Sequence, residues 1–471
     1  MKKYIIIALV LLRGNIYGQG ADSLSHYLEV AARNNPAVMA AFHAYEASLE
    51  KIPQAGAFQD PQLEAGFFLS PMELVEGRQI AQFQLMQMFP WFGTRKAART
   101  EAQHMAQMAF EQFRETKDNL YFEVYTEWFI LCSLRQKLRN TQQNVALLKQ
   151  LEQLALMKFS TGTVAPGGST SPTRESAPAA ASTSSAMSMG MSASLSPSQP
   201  DNSMSSMSGA VGGMSGASSG MTEVLRIQLE TVESESSLET LLSEIRTAKA
   251  RFNALLNRPS DSEVIVPDTI AAIPFLLSDE TIGLITGQNP MLGMIHEESL
   301  AYKAKAEMDR KMGYPMFGVG LQYMLIGKKP ETDMSMNSMN GQDMIMPMVS
   351  VSIPVFRGKY KAARRESQLQ RQASEARYTD ALNRLQAEFY SLKHRLEDAE
   401  RKIALYRKQS ELAGTTYNLM VQGFASGKNA LGEVITVARQ LLDYQLKEAE
   451  ITADYNTAVA SIQRLISTDK Y

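Results

Sequence analysis

The sequence predicts a mainly α-helical fold with a small β part, built from two copies of one plan. Long stretches carry apolar residues at helical spacing, four short segments alternate apolar with polar residues, and several motifs occur twice. The chain has 471 residues, enough for a large core or for two to three domains.

The chain begins with the features of a secretory signal peptide. Lys2 and Lys3 precede an apolar run from Tyr4 to Leu12, and small and polar residues follow as far as Gln19. The run is too short to cross a membrane as a helix. We therefore expect residues 1–19 to be removed on export, and we expect no helix of the remaining chain to span a bilayer.

Cysteine content and charge exclude several classes of protein. Cys132 is the only cysteine, which excludes an internal disulfide framework and a lipid-anchoring cysteine at the cleavage site. We expect it to pack in a helix interface as a small apolar residue. The formal net charge is −2, and basic residues are mixed with acidic ones, so no basic stripe predicts a nucleic-acid partner.

An internal repeat divides the chain. The segment "NNPAVMAAFHAYEASLEK" recurs as "QNPMLGMIHEESLAYKAK", "FPWFGTRKAA" as "IPVFRGKYKAA", "KFSTGTV" as "GFASGKN", and "TEVLRIQLE" as "GEVITVARQ". Between the last two motifs the first copy carries a Ser, Gly and Met-rich stretch that the second lacks. The predicted divisions are a first repeat over 20–164, a low-complexity insertion over 165–220, a returning helix over 221–268, and a second repeat over 269–471.

Each copy predicts helix, strand, loop, strand, long helix, turn and helix. The long helices are predicted over 94–158 and 361–422, and at 1.5 Å per residue each would extend roughly 90 to 100 Å. Helices over 22–52 and 279–311 precede the strands. Shorter helices return over 222–256 and 431–466. The returning helices carry matching apolar seams: Leu238, Leu241, Leu242, Ile245, and Val434, Val437, Leu441, Tyr444. Such matched seams predict the wall of a coiled-coil tunnel.

Four segments alternate apolar with small or polar side chains. They are 61–69, 78–89, 315–325 and 348–354. In the second, Phe83 and Leu85 lie opposite Gln82 and Gln84, and in the third, Phe317, Val319 and Leu321 alternate with glycines. Strands of this length, apolar on one face, are typical of outer-membrane β-barrels. Four strands cannot close a barrel, and lipid does not tolerate an open sheet edge. Several chains must therefore contribute strands, and three copies would give twelve.

These motifs together resemble the TolC-type outer-membrane efflux proteins. The resemblance rests on the repeat, the "NNP" and "QNP" openings, the strand exits and the two turns, and it covers nearly all of the mature chain except 165–220. It implies a homotrimer with a twelve-stranded barrel in the outer membrane and a twelve-helix periplasmic tunnel. It also implies two helix turns at which a membrane-fusion adaptor docks and a gate opens, with an inner-membrane pump as a further partner. Carried over, the turn residues are Phe159, Gly162, Thr163 and Glu223 in the first copy, and Phe424, Gly427, Lys428 and Glu433 in the second. The insertion splits the first turn, which departs from the family pattern.

The 28 methionines are the second functional signal. One cluster lies in the insertion and the other in the loop between the last two strands. The candidate metal contacts are Met187, Met189, Met191, Met204, Met207, Met214, Met334, Met336, Met339 and Met344, with Met346 and Met348 beside them. Thioether sulfur is a soft, neutral ligand that favours Cu(I) and Ag(I). The alternatives are compositional drift in a disordered loop and, for the last three methionines, simple strand packing.

Common enzyme motifs are absent from the sequence. It has no phosphate-binding glycine loop, no zinc-protease motif and no nucleophile elbow, and its five histidines are scattered through predicted helices. His104 with Met105 and Met108 is interpreted as helix packing. We expect no catalysis and no bound cofactor.

The sequence therefore predicts a passive trimeric outer-membrane duct of a tripartite efflux system that exports Cu(I) or Ag(I). One alternative keeps the duct and changes the cargo to drugs or other small molecules. The other is a soluble periplasmic coiled-coil protein that sequesters metal. Detergent-dependent extraction separates the ducts from the soluble protein.

Overall fold

The computed structural model describes residues 24–74, 77–161, 218–276, 280–328 and 341–467. The chain forms two compact units. The larger combines the residues up to Thr141, Leu238–Leu412 and the residues from Leu441 onward, and the smaller combines Gln142–Ser237 with Ala413–Gln440. The predicted signal peptide, most of the insertion, and Met334, Met336 and Met339 lie outside the described residues.

The described residues are mainly helical with one small antiparallel sheet, as predicted. In chain order the elements are α1 (Leu24–Asn34), α2 (Pro36–Ala55), β1 (Gln62–Leu74), β2 (Gly77–Phe89), α3 (Thr94–Thr161), α4 (Ser218–Leu255), α5 (Thr281–Gln288), α6 (Pro290–Met312), β3 (Met316–Gly327), β4 (Met344–Ser352), α7 (Arg357–Ala425) and α8 (Leu431–Ile466). The same order of two helices, two strands, a long helix and a shorter helix occurs twice. The duplication of the sequence itself stays a prediction.

The helices predicted over 22–52 and 279–311 are each broken in two, which corrects the sequence interpretation. Asn35 and Asn289 are extended at the break, and each caps the helix that follows. Pro36 and Pro290 stand at the first helical position, where proline loses no hydrogen bond but cannot continue a preceding helix. The "NP" motif therefore ends one helix and starts the next.

Asn289 links this break to the far end of α8. Its Oδ1 accepts hydrogen bonds from the backbone N–H groups of Met291 at 3.0 Å and Leu292 at 3.3 Å, and its Nδ2 donates to the carbonyl of Leu465 at 2.9 Å. Asn35 makes the same two kinds of bond, with Leu255 as its carbonyl partner at 2.9 Å. Asn289 is buried, whereas Asn35 is half-buried.

We expect Asn289→Ala to lower the free energy of unfolding by about 2 to 3 kcal/mol, because it removes a helix cap and leaves a buried carbonyl unsatisfied. Asn35→Ala is the matched variant, with a smaller expected loss of about 1 kcal/mol since water can reach that site. Urea unfolding followed by circular dichroism measures both. Equal losses would show that burial of Asn289 contributes nothing.

The larger unit contains two hydrophobic clusters. One surrounds Tyr27, whose ring centroid lies 5.2 Å from that of Phe252 and 5.6 Å from that of Trp128. Cys132 belongs to this cluster and is 2% exposed, which confirms its prediction as a small apolar residue in a helix interface. Burial raises the pKa of its thiol to about 12, so the thiolate that would react or bind metal is suppressed. The second cluster surrounds Phe389 and Ile462.

Helix α4 buries a heptad seam that the sequence interpretation identified only in part. Buried and half-buried positions recur three and four residues apart along it: Val224, Ile227, Thr231, Ser234, Leu238, Leu241, Ile245, Ala248 and Phe252. Leu242, assigned to the seam from sequence, is 42% exposed because it falls one position outside the heptad.

The sheet has the strand order β1-β2-β3-β4, and every neighbouring pair is antiparallel. The largest differences from the predicted strand boundaries are at the end of β1 and the start of β4. β1 continues through Pro71 to Leu74, with a register irregularity between Phe67 and Met72, and β4 begins at Met344 although it contains Pro347. Both are edge strands. A proline is tolerated there because its backbone nitrogen, which carries no hydrogen, can face the unpaired side of the strand.

Candidate functional site

The register of the sheet separates its side chains into two chemically distinct faces. Directly paired residues of antiparallel strands lie on the same face. Residues on the first, which we call the methionine face, include Gln62 and Glu64 of β1; Gln82, Gln84, Met86 and Met88 of β2; Gly318, Gly320, Gln322 and Met324 of β3; and Met344, Met346, Met348 and Ser350 of β4. Among these paired residues Glu64 is the only charged one.

The opposite face, which we call the aliphatic face, is apolar and exposed. It includes Leu63, Phe67, Phe83, Leu85, Val319, Leu321, Ile345 and Val349. Phe67 is 72% exposed and Val349 is 77% exposed. The predicted alternation is confirmed for these strands, including the placement of Phe83 and Leu85 opposite Gln82 and Gln84. So many large apolar side chains on one exposed surface indicate contact with lipid or with another chain.

The outer strands of the sheet each leave one edge unpaired within the described residues. β1 pairs only with β2, and β4 only with β3. Their backbone N–H and C=O groups on the outer side form no ladder with any strand of the described ranges. An edge of this kind is a template for pairing with a strand of another molecule.

Met344 is the one member of the predicted metal set that the structure describes. It lies in β4 opposite Met324, so the structure places it on a strand rather than in a loop. The same face carries Met346 and Met348. It also carries Met86 and Met88 of β2, which the sequence interpretation did not include among the metal contacts. The register of the β2–β3 pair brings them to this face, and only the alternation in "QLMQMF" could have suggested it.

The remaining candidate metal contacts are not placed by the structure. Met187, Met189, Met191, Met204, Met207, Met214, Met334, Met336 and Met339 lie outside the described residues. Within the described ranges, no group of three or more His, Cys, Asp or Glu side chains could hold a metal ion. His104 binds Glu297 of α6, with 2.7 Å between Nδ1 and Oε2.

The second predicted turn lies in the smaller unit and joins α7 to α8. The Lys428 N–H donates to the Gly423 carbonyl at 2.8 Å, and the Gly427 N–H donates to the Phe424 carbonyl at 3.0 Å, which together form a Schellman cap. Gly427 has φ +78°, a conformation that glycine adopts without strain. Lys428 and Glu433 are both exposed. The backbone of the turn is thus held by two cap hydrogen bonds, and its surface carries charged side chains.

Phe424 anchors this turn and is almost fully buried. Its carbonyl accepts a hydrogen bond from Lys158 Nζ at 3.0 Å, and the same ammonium lies 4.2 Å from the centroid of its ring. A cation at the C-terminal end of α7 is also favoured by the helix dipole. The sequence interpretation named Phe424 but not Lys158.

The first predicted turn is described only at its two ends. Phe159 lies in α3, but its side chain is outside the described residues, as are Gly162 and Thr163. Glu223 is half-buried in the early part of α4. The predicted constellation of this turn is therefore not assembled by the structure.

A buried carboxylate pairs α4 with α8 in the smaller unit. Both oxygens of Glu230 accept hydrogen bonds from Nε of Arg439 at 2.7 Å, and the Arg439 Nη2 atom contacts the same carboxylate. Glu230 is 6% exposed. The carboxylate raises the pKa of the Arg439 guanidinium. This ion pair joins α4, which follows the first predicted turn, to α8, which follows the second.

None of the described helices is long and apolar enough to cross a membrane.

Comparisons with known proteins agree on the fold. Residues 282–468 match the family model of the outer membrane efflux protein, which is less than half of the chain. No curated protein sequence matches significantly. Among solved structures, CusC is similar with a TM-score of 0.67 and 12% identity over 94% of this chain and 91% of that one. VceC of Vibrio cholerae has a TM-score of 0.66 and 12% identity over 94% and 96%, and the outer-membrane channel OprN has 0.66 and 14% over 94% and 89%. At these identities the likeness establishes the fold.

Proposed function

We propose that the chain is the outer-membrane channel of a tripartite efflux system, acting as a passive homotrimeric duct. The observation that carries this proposal is the two-faced sheet, with an exposed aliphatic face, a polar and methionine-rich opposite face, and two unpaired edges. The likeness to outer-membrane channels and the match of residues 282–468 support it.

The physical argument for a trimer begins at the sheet edges. An unpaired edge in lipid leaves backbone groups without hydrogen bonds, and each costs several kcal/mol. Pairing β4 of one copy with β1 of the next removes every edge when the ring closes. Three copies give twelve strands, an even number within the range of outer-membrane barrels. The aliphatic face then contacts lipid, and the methionine face lines the lumen.

The proposed partners are a periplasmic adaptor and an inner-membrane pump. The capped turn at Gly427 presents Lys428 and Glu433 on a fixed backbone, as a docking surface requires. We propose the same role for Phe159, Gly162, Thr163 and Glu223 of the first turn. Energy for transport comes from the pump, because the duct itself is passive.

The proposed cargo is Cu(I) or Ag(I). A lumen lined by thioethers would offer soft, neutral and weak ligands along the path, which suits cations that must bind and leave. Met344 contributes here, and the methionines of the insertion and of the loop before β4 are proposed to gather the ions at the two mouths. The rival cargo is a drug or other small molecule, exported through a duct of the same fold.

The test is silver and copper tolerance of a strain that lacks the gene, complemented with the full chain or with a variant lacking residues 165–220. We expect the full chain to restore tolerance and the variant to restore less, while both yield detergent-extracted trimers by native mass spectrometry. Restored resistance to drugs but not to metals would show that the duct exports drugs rather than Cu(I) or Ag(I). Extraction without detergent would reject the duct in favour of the soluble sequestering protein.

A further inference from the structure

Two methionine sulfur atoms converge on one point of the methionine face. The Ser350 hydroxyl donates a hydrogen bond to Sδ of Met86 at 3.4 Å, and the same oxygen lies 3.7 Å from Sδ of Met88. All three side chains are half-buried. Met86 and Met88 belong to β2 and Ser350 to β4, so the side chains reach each other across the intervening strand β3.

Glycine in β3 makes this convergence possible. A Cβ atom at Gly318 would lie 2.2 Å from Oγ of Ser350, 2.6 Å from Sδ of Met88 and 3.3 Å from Sδ of Met86. The two sulfurs and the hydroxyl therefore occupy the space in which any other residue would place its side chain. Gly320, next along this face, pairs with Met86 on one side and Met348 on the other. The glycines of β3 therefore let thioethers of the two neighbouring strands approach each other over its backbone.

We infer that Met86 and Met88 form a binding site for a soft monovalent cation, Cu(I) or Ag(I), flanked by the Ser350 hydroxyl and with Met348 as a third thioether across Gly320. Thioether sulfur is uncharged and soft, so it discriminates against protons and hard cations. The only charged residue among the paired positions of this face is the carboxylate Glu64, which attracts cations.

The choice of ion rests on the function proposed above, whereas the paired sulfurs follow from the strand register. The competing explanation is simple packing, in which the methionines fill the space over the glycines. Leucine would fill that space nearly as well, because exchanging methionine for leucine conserves volume. Only metal binding requires the sulfur.

The test uses the full chain purified in detergent, with Ag(I) as the probe. Methionine oxidation by dilute hydrogen peroxide is followed residue by residue by mass spectrometry during an Ag(I) titration. We expect Ag(I) to slow oxidation of Met86 and Met88 by about fivefold or more, because a coordinated sulfur lone pair cannot attack peroxide. Met39 and Met312, which are 46% and 47% exposed outside the sheet, are the internal controls and should oxidise at an unchanged rate.

Two variants separate coordination from packing. Gly318→Ala keeps both sulfurs but displaces them, and we expect it to abolish the protection of Met86 and Met88. Met86→Leu with Met88→Leu should remove the protection of Met348, while Met39→Leu with Met312→Leu should leave it intact. Full protection in Gly318→Ala, or equal oxidation of Met86 and Met88 with and without Ag(I), would overturn the site.

The outcomes also distinguish this site from the proposed function. Protection without restored silver tolerance in the complemented strain would leave the site standing and reject the cargo. Restored tolerance without protection would leave the cargo standing and reject the site.

Discussion

Leu85→Arg is expected to reduce the amount of assembled trimer in the outer membrane more than tenfold. Leu85 lies on the aliphatic face, is 48% exposed and pairs with Leu321 in the middle of the sheet. An arginine on the lipid face of a barrel costs about 2 to 4 kcal/mol near the bilayer midplane. Three symmetry-related arginines multiply this cost in each trimer. Quantitative immunoblots of heat-modifiable oligomer in isolated outer membranes measure the loss.

Gln84→Arg is the matched control. Gln84 is the preceding residue of the same strand, but it lies on the methionine face beside Gln322. An arginine there would stay in water inside the duct, so assembly should remain near the wild-type level while conductance to cations falls. Equal losses of trimer for both variants would contradict the assignment of the two faces to lipid and lumen.

Arg439→Met is the second large effect, with an expected loss of about 2 to 3 kcal/mol in the stability of the smaller unit. Removing the guanidinium leaves the buried Glu230 carboxylate without its partner, and an orphaned buried charge costs about 3 to 5 kcal/mol. We expect a loss at or below the lower end of this range, because the Arg439 side chain is 56% exposed and its ion pair is partly screened by water. Hydrogen exchange at the amides of α4 and α8 reports the local loss.

The control is another ion pair between helices of the same unit. Lys149 of α3 and Glu235 of α4 lie 2.8 Å apart, with side chains 56% and 48% exposed. We expect Lys149→Met to cost less than about 1 kcal/mol, as exposed pairs do. The hydrogen bond to Glu230 raises the pKa of Arg439, so the stabilisation that this shift contributes is present at neutral pH and is lost as the pH rises through the raised pKa. Similar losses in the two variants would show that burial of Glu230 is unimportant.

The faces of the sheet could be predicted because alternation does not depend on which strand is the neighbour. In β2 and β3, Leu85 and Leu321 were assigned to the apolar side from sequence alone, and the structure pairs them. The start of β4 could not be predicted, because Pro347 and the surrounding methionines read as a loop. An unpaired edge tolerates that proline, and edge position is a property of the whole sheet.

Contacts between distant segments were the other part that the sequence could not provide. The turn at Gly427 could be predicted because its motif, "GFASGKN", lies within one short stretch of sequence. The contact between Lys158 and Phe424 joins residues 266 positions apart, and the ion pair between Arg439 and Glu230 joins residues 209 positions apart. The same holds for Met86 and Met88 beside Ser350. Each requires the register of two elements, which no single stretch of sequence encodes.

The two unpaired sheet edges have a genetic consequence under the proposed assembly. A ring that closes only when each subunit pairs on both sides cannot close if one subunit has a defective edge. A copy with a damaged β1 or β4 would therefore not act as a simple null allele. Produced beside the wild-type chain, it would enter most rings and disable them. We expect such alleles to be dominant, whereas alleles that prevent folding of the helices would be recessive because those chains never reach a partner.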